Sequence, residues 1–307
     1  MFNDNKCELA PDERPDWIGS VPFIAVHLTC LSVLWTGSSW AAWNVALLLY
    51  VVRMFFVTGF FHRYFSHRTY KLSRWLQCVA AFCATTAVQK GPIWWASHHR
   101  PHHKYSDTPQ DVHSAKMRTW FWAHCGWVLC RKYQSAMLEF VPDLNKFPEL
   151  RFFETRFGNL LGPVLLAVGC FTLGELAPPS WQTSGIQMLV IGFFCSTVAL
   201  FHGTFFINSW AHTWGTQRFA TGDESRNNFW LALITLGEGW HNNHHADQYE
   251  SAQRRRWWEI DQTHYLLVIA SWLHLLRFVR KNAVTVGDRV WAAGHLAAAL
   301  LAAILVF

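Results

Sequence analysis

Disulfide and thiolate chemistry have little to work with in this 307-residue chain. Its eight cysteines (Cys7, Cys30, Cys78, Cys83, Cys125, Cys130, Cys170, Cys195) are scattered, and no two form a CxxC pair. They read as small buried hydrophobes in a reducing compartment. Charge is also sparse, with 15% Asp, Glu, Lys and Arg against 51% hydrophobic residues. The N-terminal MFNDNKCELAPDERPD is acidic and lacks an apolar h-region, so nothing there resembles a cleaved signal peptide. No repeat with a period of about 20–50 residues and no low-complexity linker is visible, which favours one domain over 1–307.

Long apolar runs are abundant. They occupy about 21–35, 40–61, 159–173 and 186–207, each near the ~20 residues that cross a bilayer core as helix. Thr36-Gly37-Ser38-Ser39 separates the first two, and a Pro-, Ser- and Gly-containing stretch over 177–185 separates the last two. The pattern predicts an all-α integral membrane protein with four spanning helices in two hairpins and a helical cap. The expected divisions are a polar tail (1–20), a first hairpin (21–61), a cap segment (62–158), a second hairpin (159–207), a second cap segment (208–287) and an apolar end (288–307). Fourteen Lys or Arg fall between 61 and 158 and none in either hairpin turn, which places the cap in the cytoplasm. The first segment then serves as an uncleaved anchor.

The formal charge of +6 sits beside apolar segments and among aromatics. Anionic lipid or an acidic electron-donor protein fits it better than nucleic acid. Arg254 to Lys281, with basic flanks and paired Trp, reads equally as an interfacial helix or as a core helix of the cap. The Ala-rich end, 291–307, is only just long enough to span.

Seventeen histidines carry the chemistry, and eight of them form three boxes: HRYFSH (His62, His67), HRPHH (His99, His102, His103) and HNNHH (His241, His244, His245). Positions i, i+3 and i+4 share a helix face, which suits the last two boxes. His62 and His67 would lie about 140° apart on a regular helix, so they converge only if the helix ends or bends, or runs past a shared ion. Pro101 is tolerated in a first helical turn, which predicts a helix beginning near Ser97 to Arg100 with Ser97 as its cap. Isolated histidines such as His27, His264, His274 and His295 read as ordinary satisfied side chains. For the boxes that reading fails: an unsatisfied buried ring nitrogen costs about 1–3 kcal/mol, and eight together imply a metal site. Eight ligands exceed one ion's needs, so two ions share them; imidazole suits zinc or iron, and a two-iron site activates dioxygen.

The motifs HRYFSHRTY, GPIWWASHHRPHHKYSDTPQDVH, NSWAH and TLGEGWHNNHH, in this order, resemble the membrane fatty acyl desaturases, which include stearoyl-CoA desaturase and the bacterial and cyanobacterial acyl-lipid enzymes. The likeness runs from about Val51 to Lys281. It implies two iron ions and O2 as co-substrate, with His212 of NSWAH as a ninth ligand and Asn208 holding a metal-bound water. It further implies that a cis double bond, of delta-9 type, is placed in a saturated acyl chain. Two electrons would come from a ferredoxin or cytochrome b5-like donor, since no such motif lies in this chain. Animal acyl-CoA desaturases carry an Arg-Asp pair where this chain has Ser97 and His98. That pair helps hold CoA, so His98 points toward the acyl-lipid branch. Arg131 and Lys132 match a basic pair of the CoA enzymes and suit a lipid phosphate equally. Asp107, Asp111 and Glu238 are placed to orient imidazoles. His113 and His124 read as polar neighbours, and His202 as a packing or tunnel residue. A bacterial inner-membrane location follows from the resemblance. Two alternatives stay open: a hydroxylase on the same scaffold, and a metal-binding membrane protein or transporter. The latter would place ionisable residues within the spans, where segments one and two offer His27 and Arg53.

Overall fold

A computed structural model describes residues 7–280 and 283–306. Met1 to Lys6 of the expected tail, Lys281 at the end of the likeness and Phe307 at the end of the apolar stretch lie outside them. The chain is mostly helical, 62% by residue. Its main helices are α1 Val21–Thr36, α2 Trp40–Ser66, α3 Arg74–Thr85, α4 Pro92–Tyr105, α5 Arg156–Glu175, α6 Gly185–His212, α7 Phe229–Ile234, α8 His241–Ala246, α9 Gln262–Trp272 and α10 Val286–Val306.

Three of these, α2, α5 and α6, are long and apolar enough to cross a bilayer. The expected first span, α1, is shorter, because Gly37 at φ 70° ends it in a conformation that other residues avoid. Ser39, Thr155 and Ser184 start α2, α5 and α6, each hydroxyl accepting a hydrogen bond from an amide of the first turn. On α5, Leu160, Val164, Leu165 and Val168 are all more than half exposed. An apolar face of this kind belongs against lipid.

Between the long helices, small residues allow close approach: Ala42 and Ala46 of α2 pack with Met188 and Ile191 of α6. A Cβ on Gly203 would lie 2.7 Å from the Tyr50 hydroxyl, so α2 and α6 meet almost backbone to side chain there. Arg53, buried in the same contact, donates to Ser196 Oγ at 2.5 Å, Thr197 Oγ1 at 2.8 Å and the carbonyls of Leu49 and Thr86. Its charge is thus solvated by protein oxygens, which ties α2, α6 and the end of α3 together.

Two long helices run further than their hydropathy indicates. α2 continues as a π-helix over Phe56–Ser66, carrying His62 out of the span, and α6 reaches Asn208 and His212 without a break. The first histidine box and NSWAH are therefore extensions of the spans.

Other sequence expectations are corrected. α4 begins at Pro92, with Gly91 as its N-cap residue and Pro101 inside the helix. Its start is fixed by Glu154, which accepts the Ile93 amide at 2.8 Å from 61 residues away, a contact no local pattern encodes. Arg254 to Lys281 is not one helix, since 251–261 is turn and irregular chain. The helix α9 starts only where Asp261 accepts the His264 amide. Buried Tyr265, Leu267 and Val268 make α9 a core helix of the cap. The antiparallel pair β1 (Tyr70–Lys71) and β2 (Arg277–Phe278) fastens the chain after the first box to the segment after α9. All eight cysteines are free.

Candidate metal centre

The π-helical stretch resolves the spacing of the first box. In π geometry the hydrogen bond runs i to i+5, and the His67 amide donates to the His62 carbonyl at 3.1 Å. Residues five apart then stack on one face, and the two Nε2 atoms come within 3.1 Å. The second and third boxes present their i, i+3 and i+4 faces from α4 and α8 as the spacing predicts.

The rings gather in two sets. His62, His67, His99, His103 and His244 form one, and His102, His212, His241 and His245 the other, with the nitrogens of each set within 4.8 Å of one another. Together they are the eight box histidines and His212. In the first set Nε2 faces Nε2 around a ring: His67 to His99 at 2.8 Å, His99 to His103 at 3.0 Å, His103 to His244 at 3.1 Å and His244 to His62 at 3.0 Å. In the second, His212 and His241 approach at 3.1 Å.

Four carboxylates determine what those nitrogens carry. Nδ1 of His62 meets Glu238 at 2.7 Å, His102 meets Asp111 at 2.8 Å, His212 meets Asp107 at 2.9 Å and His245 meets Asp223 at 2.6 Å. The Nδ1–H groups of His102, His212 and His245 donate to their carboxylates, so Nε2 of each neutral ring is a bare lone pair, while His62 Nδ1 lies in ion-pair contact with Glu238. The Nε2 atoms of His102 and His245 are buried with no protein partner among the described residues. Lone pairs that converge in a dry interior repel unless a cation lies among them, so the donor set fits a transition-metal site.

Electrostatics keep four of these rings in the ligating form. Burial first, and neighbouring imidazoles second, hold His99, His103, His241 and His244 well below the usual histidine range, neutral at physiological pH. Burial would push the Glu238 carboxyl up, but His62 and Arg63 outweigh it and bring it down to about 2. Arg63, itself 1% exposed, bridges Glu238 and Asp261 at 2.9 Å each. Asp107 and Asp223 are also held low against the effect of burial, by the N–H groups of His212 and His245.

Asp107, Asp111 and Glu238 sit against the rings of His212, His102 and His62. Asp223 was missed. It lies in a polar turn, TGDES, with no apolar periodicity or histidine nearby in sequence, and only the return of 213–228 across the cap brings it to His245. His113 lies closer to the site than its reading as a polar neighbour suggested, its ring 4.2 Å from that of His102. His27, His202 and His124 are arranged differently: His202 uses one nitrogen toward His27 at 3.3 Å and the other toward His124 at 2.9 Å. Those rings are strung in a line and do not converge on a point, so they belong to helix packing.

A cavity of about 410 Å³ runs from Phe23 and Val26 of α1, past Trp95, to His99 and Asn208. A space of about 30 Å³ lies between His62, His102 and His241 and shares Trp95, His99, Thr204 and Asn208 with it. His98 lines the larger cavity. Its Nδ1 donates to the Trp94 carbonyl at 2.8 Å, and its buried Nε2 has no protein partner among the described residues. Arg131 is exposed on the surface, and Lys132 pairs with Glu13 at 2.9 Å; neither lines that cavity.

Residues 38–272 match the model of the fatty acid desaturase family. The chain belongs to that family. As a family member it is an oxidoreductase. It is 36% identical over 282 residues, 91% of its length and 83% of the relative's, to the sn-1 stearoyl-lipid 9-desaturase of Synechocystis. It is 37% identical to the palmitoyl-monogalactosyldiacylglycerol delta-7 desaturase of Arabidopsis thaliana, over 75% of this chain and 59% of that one. It is also 37% identical to an acyl-CoA 5-desaturase of Anemone leveillei, over 83% and 76%. Three bond positions and two acyl carriers among relatives of equal similarity mean that identity at this level assigns the reaction class and leaves the substrate to the pocket. For this desaturase, the apolar helices and the relatives' membrane chemistry agree on a membrane protein.

Proposed function

We propose that this desaturase places a cis double bond, of delta-9 type, in a saturated acyl chain carried on a membrane glycerolipid. It would use two iron ions, O2 and two electrons from a separate donor. The observation that carries this reading is the convergence of nine imidazoles, three of them made lone-pair donors by carboxylates, at the inner end of an apolar cavity. Iron would supply the oxidising power that an unactivated methylene demands, since such a carbon has no proton that a side chain can remove.

His62, His67, His99, His103 and His244 would hold one ion, and His102, His212, His241 and His245 the other. Asn208, at the junction of the two cavities, would hold a water on the second. Trp95 and Thr204, which line both spaces, would position the chain beside the rings, and Phe23 and Val26 would exclude water further out. His98 offers its free nitrogen where a headgroup would lie, favouring the glycerolipid. Delta-9 placement follows the Synechocystis relative, whose alignment covers most of both chains. A cytoplasmic site follows from the positive charge between the two hairpins, and a bacterial inner membrane from the likeness to the bacterial and cyanobacterial enzymes.

Expression in a host of known lipid composition, followed by mass spectrometry of its fatty acids, tests the reading. New cis double bonds at carbon 9 of glycerolipids are expected, and they should vanish in His99→Ala. A hydroxylated product, or identical lipids from wild type and variant, would overturn it.

A further inference from the structure

Arg255, Arg256, Trp257 and Trp258 form a run of four exposed residues between buried Gln253 and Glu259. Trp257 is 78% exposed. The segment is firmly held from beneath. Glu259 accepts the amides of Arg255 at 2.6 Å and Arg256 at 3.1 Å, accepts Asn243 Nδ2 at 3.0 Å and pairs with Arg218. Asn243 stands between His241 and His244 on α8, so the patch and the third histidine box share one buried carboxylate. A second link is aromatic. The Trp258 ring meets buried Trp240 edge-on with centroids 5.5 Å apart, and Trp240 is bonded in the chain to His241. The Trp240 indole N–H donates to the Ile260 carbonyl at 2.8 Å, which fixes that contact.

We propose that Arg255, Arg256, Trp257 and Trp258 are the docking face for an acidic one-electron donor protein, with Trp258 and Trp240 the electron path to His241. The proposal rests on the desaturase reading. Converting –CH2–CH2– and O2 into –CH=CH– and two waters takes two electrons and two protons. The donor is oxidised by one electron at each of two dockings, and the protons come from solvent. The two indoles act as a tunnelling path and are not themselves oxidised. Basic residues around an exposed aromatic suit a carboxylate-rich partner: charge steers the encounter and the ring supplies a desolvated anchor. A lipid surface would also attract Arg and Trp, but it would gain nothing from ring contact with the residue preceding His241.

The test uses the full chain in lipid nanodiscs. A plant-type ferredoxin and a soluble cytochrome b5 domain serve as probes, and the one that sustains wild-type turnover is carried forward. The metal-free protein should bind the oxidised probe with an affinity that falls as salt rises. An Arg255→Glu/Arg256→Glu variant should weaken binding roughly tenfold or more. Trp258→Leu should bind within about twofold of wild type, yet its iron, followed by absorbance, should be reduced severalfold more slowly by the donor and at the wild-type rate by dithionite. Wild-type binding by the charge-reversal variant would overturn the docking face, and wild-type donor-driven reduction in Trp258→Leu would overturn the path. Loss of dithionite-driven and donor-driven reduction together, or release from vesicles with donor binding intact, would make the patch a structural or membrane-anchoring element. Absence of turnover with every reductant would instead count against the desaturase reading.

Discussion

Glu238→Gln separates the electrostatic role of the residue from its shape. Glu238 is 2% exposed, lies 2.7 Å from His62 Nδ1 and faces the Arg63 guanidinium at 2.9 Å. A carboxyl moved from 4.5 to about 2 is stabilised as the anion by roughly 3 kcal/mol. Glutamine keeps an oxygen for His62 but turns an amide N–H₂ toward a buried cation. The metal-free protein should therefore lose roughly 3 kcal/mol of stability, within the range for breaking a buried ion pair. With His62 less firmly oriented, metal affinity should fall about 10–100-fold. Because the folded value is depressed, the anion's contribution is fully present above 4.5 and fades only as pH falls toward 2. The deficit should thus be the same at pH 8 and pH 6. Denaturant unfolding in detergent gives the stability, and plasma mass spectrometry after competition with a chelator gives the affinity. Wild-type values for both, or a stability deficit that grows between pH 6 and 8, would refute the reasoning.

Histidines give the same loss on acidification in a higher window: their folded values lie below the ordinary 6.5, so the unfolded chain takes up protons first. Stability of the metal-free protein should be level above about pH 6.5 and drop on acidification below it, as unfolding at pH 7.5 and 5.5 would reveal. Gly239→Ala should prevent α8 from docking, because its Cβ would lie 2.1 Å from the Ala232 amide nitrogen and 2.4 Å from the Asn228 carbonyl oxygen. A loss of about 1–3 kcal/mol together with loss of bound metal is expected, whereas Gly294→Ala, with open space around it, should match wild type in both measurements. Asp223→Asn should reduce metal affinity by about 10–100-fold, as Glu238→Gln does, since it faces His245 as Glu238 faces His62; unchanged metal content under chelator competition would remove Asp223 from the site.

Sequence alone pointed to the desaturase family and to a set of histidines suited to hold metal. Residue type and spacing identified eight histidines as a set because imidazoles at i, i+3 and i+4 beside apolar helices have no cheaper explanation than a metal, and motif order added the ninth. The three carboxylates named from sequence lie within a few residues of a histidine box, and that nearness made them legible. Tertiary structure decided what depends on distant contacts. A π-helical ladder, held in the packing of α2 against α4 and α9, brought His62 over His67, which regular helical spacing keeps apart. Glu154 set the start of α4 from across the chain, against the local signal of Ser97 and Pro101. Asp223 reached His245 through the return of an irregular loop, and Trp258 reached Trp240 because Glu259 is buried beneath a basic run that reads in sequence as one amphipathic helix. Local patterns report what a segment can do. Long-range hydrogen bonds to buried carboxylates, whose desolvation is offset only in the folded state, select which of those possibilities is realised.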